Sequence, residues 1–342
     1  MRPVLSPASH LLWRDPQTLQ LGRAGRAVVL AGLDSDVRAV LGLLDGTRDL
    51  AEVEHAAAEV GCPPPRTREL LDLLRQAGVV VDAAERWPAR LTVDERDRLG
   101  ADVASLSLLH QGAGLAALRR RDLASVVVLG GGRVGAPLAA LLAAAGVGTV
   151  DVADDGAARG SDAAVGGLRG SDVGRRRGEA ARERLREVSS TILTGPVRRP
   201  DVVVLAPAAT VDDGDAVALL RDGVPHLLAE VRDTVGVVGP LVLPGRSACL
   251  RCLDLTRSDR DPDWPALAVQ LASPGRSSAA CDAVLAAAVS AQAALQVLAL
   301  LDDSGAPASV DGSLELALPD WRWRRRTWRS HPACECQWQA AG

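Results

Sequence analysis

The stretch Val126-Val-Val-Leu-Gly130-Gly-Gly-Arg-Val-Gly135 decides the fold of this chain of 342 residues. Its first four residues are apolar and mostly β-branched, which is typical of a buried strand, and a glycine-rich turn follows at once. Ala136 to Ala145 then has helical composition, and Thr149 to Ala153 is a second short strand. Strand, glycine-rich turn, helix and strand make a βαβ unit, which predicts an α/β fold with a Rossmann-like parallel sheet.

The same turn is a candidate nucleotide site. Backbone amides at a helix N-terminus can cradle phosphates, and an acidic residue at the end of the next strand can bind a ribose hydroxyl. The residues in these places, which we predict to bind a nucleotide, are Gly130, Gly132, Gly135 and Asp154. NAD, FAD, SAM and ATP sites all use such a turn, and a tight turn kept for packing, without a ligand, is the alternative.

Four of the six cysteines form two pairs with the spacing of metal ligands. Cys249 and Cys252 make a C-x-x-C, and Cys334 and Cys336 make a C-x-C near the chain end. Two such pairs supply the four soft ligands of a structural zinc site, which would clip the C-terminal tail to the body of the domain. Reduced, unpaired thiols are the alternative, and His331 could replace one cysteine. The remaining cysteines, Cys62 and Cys281, are predicted to be plain buried thiols.

Composition excludes several classes of protein. The net charge of −4 argues against a general nucleic-acid binder. No segment reaches about 18 consecutive uncharged apolar residues, and Met1 to Asp15 lacks a signal-peptide pattern, so we expect no membrane partner and a cytoplasmic location. The chain contains neither Lys nor Asn, so a catalytic lysine is excluded.

The length suggests two domains. Residues 1–82 contain strands at Leu19–Gly22 and Ala27–Leu30, then three short helical segments and a final strand, an order that resembles a winged helix. We predict a linker with a leading helix over 83–124. Residues 125–342 form the Rossmann-like domain with its C-terminal zinc clip.

Several motifs of the second domain resemble the ThiF/MoeB (ubiquitin-activating-type) family in their order. These are the Gly130 turn, Ala143-Ala-Ala-Gly-Val-Gly148, Asp172-Val-Gly174 with Arg175 to Arg177, Val237-Val-Gly-Pro240, and Ser247-Ala248 leading into Cys249. The resemblance covers about Glu95 to Cys336. It implies a homodimer that uses ATP to adenylate a carboxylate, with Arg177 facing phosphate at the position of a family lysine.

The departures from the family pattern concern the adenylating residues. Asp162 to Leu168 contains neither the Asn nor the Arg-Gln pair of active members, and Arg177 is not a simple substitute for Lys. Ala206-Pro-Ala-Ala209 stands where active members carry a metal-binding Asp, although Asp212 and Asp213 lie close enough in sequence to compensate. Binding of ATP is therefore left open.

The first domain resembles the PqqD-like peptide-recognition domain through three segments: Trp13 to Gly22, Leu43 to Gly46, and Leu74 to Val80. That resemblance implies binding of a precursor (leader) peptide as an added strand, with a generic winged helix in a packing role as the alternative. Both domains together resemble the scaffold partner of azole-forming cyclodehydratases, in which a YcaO-type enzyme performs the ATP-dependent chemistry. An active adenylyltransferase is the main rival, and a nicotinamide-dependent oxidoreductase is the weakest hypothesis.

The segment Trp321-Arg-Trp-Arg-Arg-Arg-Thr-Trp328 alternates aromatic and basic residues. We predict a strand with its Trp side chains inside and its Arg side chains outside. A surface for an acidic peptide or a nucleic acid is the alternative.

Overall fold

The computed structural model describes residues 1–6, 10–22, 27–207, 213–272 and 280–337. The chain divides into two compact units, Met1–Arg120 and Arg121–Gly342. Each unit has its own buried apolar clusters.

The first unit begins with a mixed α/β fold. Three strands form an antiparallel sheet in the order β2-β3-β4, and β1 pairs with β5 in a separate two-stranded sheet. Leu19, Val40, Val53 and Leu74 are fully buried and belong to the core between the sheet and three helices. The elements are β1 (Pro3–Leu5), β2 (Leu11–Asp15), β3 (Thr18–Leu21), β4 (Val28–Leu30), α1 (Ser35–Leu43), α2 (Leu50–Glu59), α3 (Pro64–Gln76) and β5 (Val80–Asp82).

A second, smaller apolar cluster follows in the chain and is separate from the first. Leu99, Ala117 and Leu118 are its fully buried members. Thr92 caps the first helix here by accepting a hydrogen bond from the amide of Glu95 (3.3 Å). The helices are α4 (Val93–Arg98), α5 (Gly100–Leu109) and α6 (Gly114–Leu123), and α6 ends three residues into the second unit.

A seven-stranded sheet is the centre of the second unit, with the strand order β12-β11-β10-β9-β8-β6-β7. The strands β7, β6, β8 and β9 run parallel, while β10, β11 and β12 continue antiparallel. The predicted βαβ unit is therefore confirmed. The strands are β6 (Ser125–Leu129), β7 (Thr149–Ala153), β8 (Val202–Leu205), β9 (His226–Arg232), β10 (Val235–Val242), β11 (Gly312–Ala317) and β12 (Trp323–Thr327).

Helices cover the two faces of this sheet. α7 (Gly135–Ala144), α8 (Arg177–Val188) and α12 (Ala283–Leu301) contribute to the main core on one face. A smaller cluster on strands β6, β8 and β9 includes residues of α9 (Asp213–Arg221) and α10 (Leu250–Ser258). A further helix, α11 (Trp264–Ala272), follows α10. This arrangement confirms the expected class, α/β with a Rossmann-like domain and a small N-terminal unit of strands and helices.

α12 has the length and the apolar composition of a membrane span, with a mean hydropathy of 2.0. It carries no charge over 19 residues, although Ser290, Gln292 and Gln296 interrupt its apolar sequence. Its buried positions pack against α7, β9 and β10, as expected of a helix in a protein core.

Most predicted elements are present with small shifts of their ends. Strands β1 and β2 were not predicted. The helix α3 begins at Pro64, because proline is well suited to the first position of a helix.

Candidate functional site

The glycine-rich turn lies between β6 and α7, as predicted, and the protein's own packing requires glycine at two of its positions. A Cβ on Gly130 would lie 2.0 Å from the carbonyl oxygen of Ala206. A Cβ on Gly135 would lie 1.8 Å from the carbonyl oxygen of Gly130. The carbonyl of Gly132 accepts the helical hydrogen bond from Ala136 (3.1 Å). Close backbone contacts therefore explain the glycines at positions 130 and 135.

Asp154 follows β7 beside this turn, and its carboxylate has four hydrogen-bond donors. Its Oδ2 accepts from the amide of Gly131 (2.8 Å) and from Nε of Arg177 (2.7 Å). Its Oδ1 accepts from the amide of Gly156 (2.8 Å) and from Nη2 of Arg177 (3.0 Å). We call this set of four residues the Asp154 clamp. A ribose hydroxyl would donate a hydrogen bond to one of these carboxylate oxygens. In the clamp, each of the two oxygens already accepts two hydrogen bonds.

The predicted role of Arg177 requires its guanidinium to face an open phosphate site. In the structure the guanidinium is instead paired with groups of the protein. It is the first residue of α8, and its guanidinium also donates to the carbonyl of Ala157 (3.1 Å) and lies near Asp162 (3.4 Å). A Cβ on Gly156 would come within 2.3 Å of its Nη2. Asp154 and Arg177 therefore lie at one site, where bidentate pairing with the carboxylate satisfies the partly buried guanidinium.

The clamp also sets the ionisation of its members. Burial alone would raise the pKa of Asp154, but the Arg177 hydrogen bonds and the two amides outweigh burial, so its pKa lies below the ordinary value. The hydrogen bond to Asp154 raises the pKa of Arg177. Both groups are therefore charged at neutral pH, and their side chains are only 9% and 15% exposed.

A cavity of about 530 Å³ lies beside Asp154, against the edge of the sheet at β7. Its charged walls are largely paired with one another: Arg182 contacts Asp151 (2.6 Å) and Arg176 contacts Asp155 (3.3 Å). Ligand pockets are usually lined by apolar groups with a few polar anchors, and this cavity has the opposite character. The lining residues are Val127, Asp151, Ala153, Asp154, Asp155, Arg176, Glu179, Arg182, Pro196 and Val197.

The structure does not describe the side chains of the two carboxylates predicted to compensate, Asp212 and Asp213. Asp212 lies outside the described residues, as do Ala208 and Ala209, and Asp213 is described only as the first residue of α9. Among the described residues, the carboxylate predicted to bind ribose is already paired with Arg177, and the chain contains no Lys.

The four predicted metal ligands meet in one place, which we call the cysteine cluster. Their sulfur atoms all lie within 4.8 Å of one another. Cys249 Sγ is 3.7 Å from Cys252 Sγ and 3.6 Å from Cys334 Sγ, and Cys252 Sγ is 3.4 Å from Cys336 Sγ. Four sulfurs bound at about 2.3 Å to one zinc ion would lie about 3.8 Å apart in a regular tetrahedron. The cluster could therefore hold a metal ion of that size.

The fold places these cysteines by local means. Cys249 is the residue before α10, and Cys252 lies in its first turn, so both thiols point to the same side. The hydrogen bond from Cys249 lowers the pKa of Cys252 to about 4, and burial raises the pKa of Cys336 to about 12. A thiolate beside neutral thiols is a suitable ligand for a soft cation.

Two residues that the sequence did not reveal position the cluster. Asp311 Oδ1 accepts a hydrogen bond from the amide of Ala248 (2.8 Å), next to Cys249. Trp328 is 3% exposed and donates from Nε1 to Ser313 Oγ (3.0 Å), which anchors the chain just before the second cysteine pair. No spacing rule indicates either contact, because each joins residues far apart in sequence.

The other thiols and the neighbouring histidine stay outside the cluster. His331 Nε2 contacts Asp259 (2.9 Å), and its Nδ1 accepts from the amide of Ala333 (3.1 Å), so neither ring nitrogen is available as a ligand. Cys62 is fully buried in the first unit, as expected, and Cys281 is only half-buried.

Comparison with known proteins identifies the family of this chain. Residues 105–337 match the family model described as ThiF family. No curated protein matches the chain significantly.

Solved structures match the chain over nearly its full length. E. coli MccB with ATP is 16% identical, with a TM-score of 0.73, over 98% of this chain and 99% of that chain. The microcin C7 biosynthetic enzyme MccB in complex with N-formylated MccA is 16% identical, with a TM-score of 0.73, over 98% and 100%. PaaA is 17% identical, with a TM-score of 0.70, over 94% and 99%. At these identities the likeness shows a shared fold.

Proposed function

Because this chain belongs to the ThiF family, we propose that it is a member that binds a precursor peptide and does not itself adenylate it. In this proposal it supports a separate ATP-dependent enzyme of the YcaO type in ribosomal peptide natural-product biosynthesis. Residues 1–82 recognise the leader part of the peptide, residues 83–124 link, and residues 125–342 form the scaffold.

The Asp154 clamp is the observation that carries the non-adenylating half of the proposal. A nucleotide entering at the turn would have to displace a bidentate Arg177 and the Gly131 amide from a carboxylate that is 9% exposed. Breaking a buried charge pair is costly because one charge is left uncompensated. The chain also contains no Lys and no Asn, which are among the residue types that adenylating members of the family use.

The peptide-binding half rests on the three-stranded sheet of the first unit. Strand β4 pairs only with β3 among the described residues, and its Val28 and Val29 are 37% and 43% exposed. An extended peptide can add to such an edge through backbone hydrogen bonds, with its alternate side chains in contact with the exposed apolar residues. Among the similar structures, MccB has been solved in complex with MccA.

The cysteine cluster has a structural part in this proposal. Zinc bound by Cys249, Cys252, Cys334 and Cys336 would leave no open coordination position for a reaction. It would hold the chain end against α10. A cytoplasmic location keeps these thiols reduced and available for the metal.

We also propose a homodimer, with α12 in the interface. Val284 and Leu295 are 77% and 59% exposed on a helix without charge, and Ala287 and Ala291 are exposed between them. The spacing of these four residues puts them on one face. An exposed apolar stripe of this kind marks an interaction surface.

An active adenylyltransferase is the second candidate, because the similar MccB structure contains ATP and covers 98% of this chain. Exchange of labelled pyrophosphate into ATP separates the two functions. Purified protein is incubated with ATP, Mg²⁺ and each small peptide encoded beside its gene, and binding of the same peptides is measured by fluorescence anisotropy. The proposal predicts peptide binding without exchange. Exchange above background contradicts it, and failure of every peptide to bind contradicts the recognition half.

A further inference from the structure

We propose that strand β12 and its flanking residues form a second docking site, which takes an extended acidic peptide segment as an added strand. We call Trp321 to Thr327 the basic edge. This inference goes beyond the proposed function, whose peptide site lies on β4 in the other unit.

The backbone of the basic edge is open to a partner. β12 is the last strand of the seven-stranded sheet and pairs only with β11 among the described residues. The amide of Trp328 donates to the carbonyl of Asp311 (2.9 Å), so the backbone N–H and C=O groups of Trp328 are directed toward β11. Because backbone groups alternate in an antiparallel pair, Thr327, Arg325 and Trp323 direct their N–H and C=O groups away from the sheet.

The charge of the basic edge indicates the chemistry of the partner. Trp321 to Thr327 contains four arginines and no acidic residue, in a chain whose net charge is −4. The Arg324 side chain is 73% exposed and pairs with Asp320 (2.7 Å), and such a surface pair can be replaced by a pair with another carboxylate. Arg322 is exposed and forms no ion pair within the described ranges.

Exposed aromatic residues distinguish this edge from one that is merely protected by charge. Trp321 and Trp323 are 70% and 37% exposed, contrary to the prediction that their side chains are inside, while Trp328 is buried as predicted. Charged residues on an edge strand oppose pairing with other strands, whereas exposed apolar side chains such as tryptophan favour it. Tryptophan and arginine together are the residues most enriched where proteins bind one another.

The partner is another polypeptide rather than a second copy of this edge. Pairing β12 with β12 of another copy would place Arg324 and Arg326 of both chains side by side, and directly opposed like charges are destabilising. An extended segment with acidic residues at alternate positions would instead oppose carboxylates to the guanidinium groups and leave its other side chains near the tryptophans.

Fluorescence anisotropy with a labelled 12-residue peptide of alternating Glu and Val tests the inference, with an alternating Lys and Val peptide beside it. We expect the acidic peptide alone to bind, and more weakly as salt increases. Reversing charge with Arg322→Glu and Arg324→Glu together should weaken binding about tenfold or more. The matched control reverses two exposed arginines elsewhere, Arg198→Glu and Arg199→Glu, and should change binding less than twofold.

A backbone variant tests the strand addition itself. Thr327→Pro removes an outward amide while leaving the bonds to β11, because proline is tolerated on the open side of an edge strand. It should abolish binding with metal content unchanged, and hydrogen exchange at Arg325 and Thr327 should slow when the peptide is added to the native protein. If Thr327→Pro loses its metal, the exchange measurement alone decides.

Several results would overturn the inference. The first is equal binding of the acidic peptide by the double variant and the native protein, and the second is no slowing of hydrogen exchange in β12. The third is tighter binding of a 12-nucleotide poly-uridine RNA than of the acidic peptide. The fourth is a dimer of the native protein that Thr327→Pro dissociates, which would make a second copy the occupant of this edge. Val29→Asp, in the β4 edge of the first unit, should leave binding of the acidic peptide unchanged, so this test and that of the proposed function fail separately.

Discussion

Removing the Arg177 guanidinium from the Asp154 clamp should destabilise the second unit, although Arg177 is polar and lies at the start of α8. Arg177→Ala deletes two charge-assisted hydrogen bonds and leaves Asp154, which is 9% exposed, with only its two backbone amides. Losing one partner of a buried charge pair costs about 3–5 kcal/mol. The remaining amides and the partial exposure of Arg177 reduce the expected loss to about 2 kcal/mol.

The matched control is the preceding residue. Arg176 contacts Asp155 at 3.3 Å, but the two side chains are 63% and 97% exposed, so Arg176→Ala should change the free energy of unfolding by about 0.5 kcal/mol or less. Scanning calorimetry of both variants measures the difference. About 2 kcal/mol corresponds to a lowering of the melting temperature of roughly 4–8 °C in a unit of this size.

The effect should also depend on pH. The folded pKa of Asp154 is lowered, so the clamp stabilises the protein above the unfolded pKa, near 3.9, and this contribution is lost as pH falls through the folded value. The melting temperatures of the native protein and Arg177→Ala should therefore converge below about pH 4. If Arg177→Ala is no less stable than Arg176→Ala at pH 7, the clamp is not a buried interaction and the reasoning is refuted.

Three further variants test the other parts of the account. Cys252→Ser should lower the bound zinc to well under one ion per chain by elemental analysis, whereas Cys281→Ser, outside the cluster, should not. Val29→Asp should weaken precursor-peptide binding about tenfold or more in anisotropy titrations, while Val60→Asp, equally exposed on another surface, should have little effect. Leu295→Glu should convert a dimer into a monomer in light scattering, and a native protein that is already monomeric would contradict the proposed interface.

The parts of the fold that follow from local patterns could be predicted from the sequence. The βαβ unit was predicted because the glycine-rich turn and the flanking apolar runs are contiguous. Each cysteine pair was predicted because the spacing of zinc ligands within a pair is a local rule. Cys252 and Cys336 are 84 positions apart in sequence, and that the two pairs meet followed only from the requirement for four ligands.

The contacts of the three consecutive arginines could not be predicted. Arg175 pairs with Glu183, Arg176 with exposed Asp155, and Arg177 with Asp154. Their different partners depend on how the start of α8 packs on β7, where a Cβ on Gly178 would lie 2.8 Å from the carbonyl of Val152. Such long-range packing leaves no periodic signal in the sequence.

Direct titration of the native protein with ATP and Mg²⁺ in a calorimeter tests the central claim, that the Asp154 clamp excludes the nucleotide. The account predicts no saturable heat up to about 1 mM ATP, equivalent to binding weaker than about −4 kcal/mol. A dissociation constant in the micromolar range, with Arg177 still present, would contradict it.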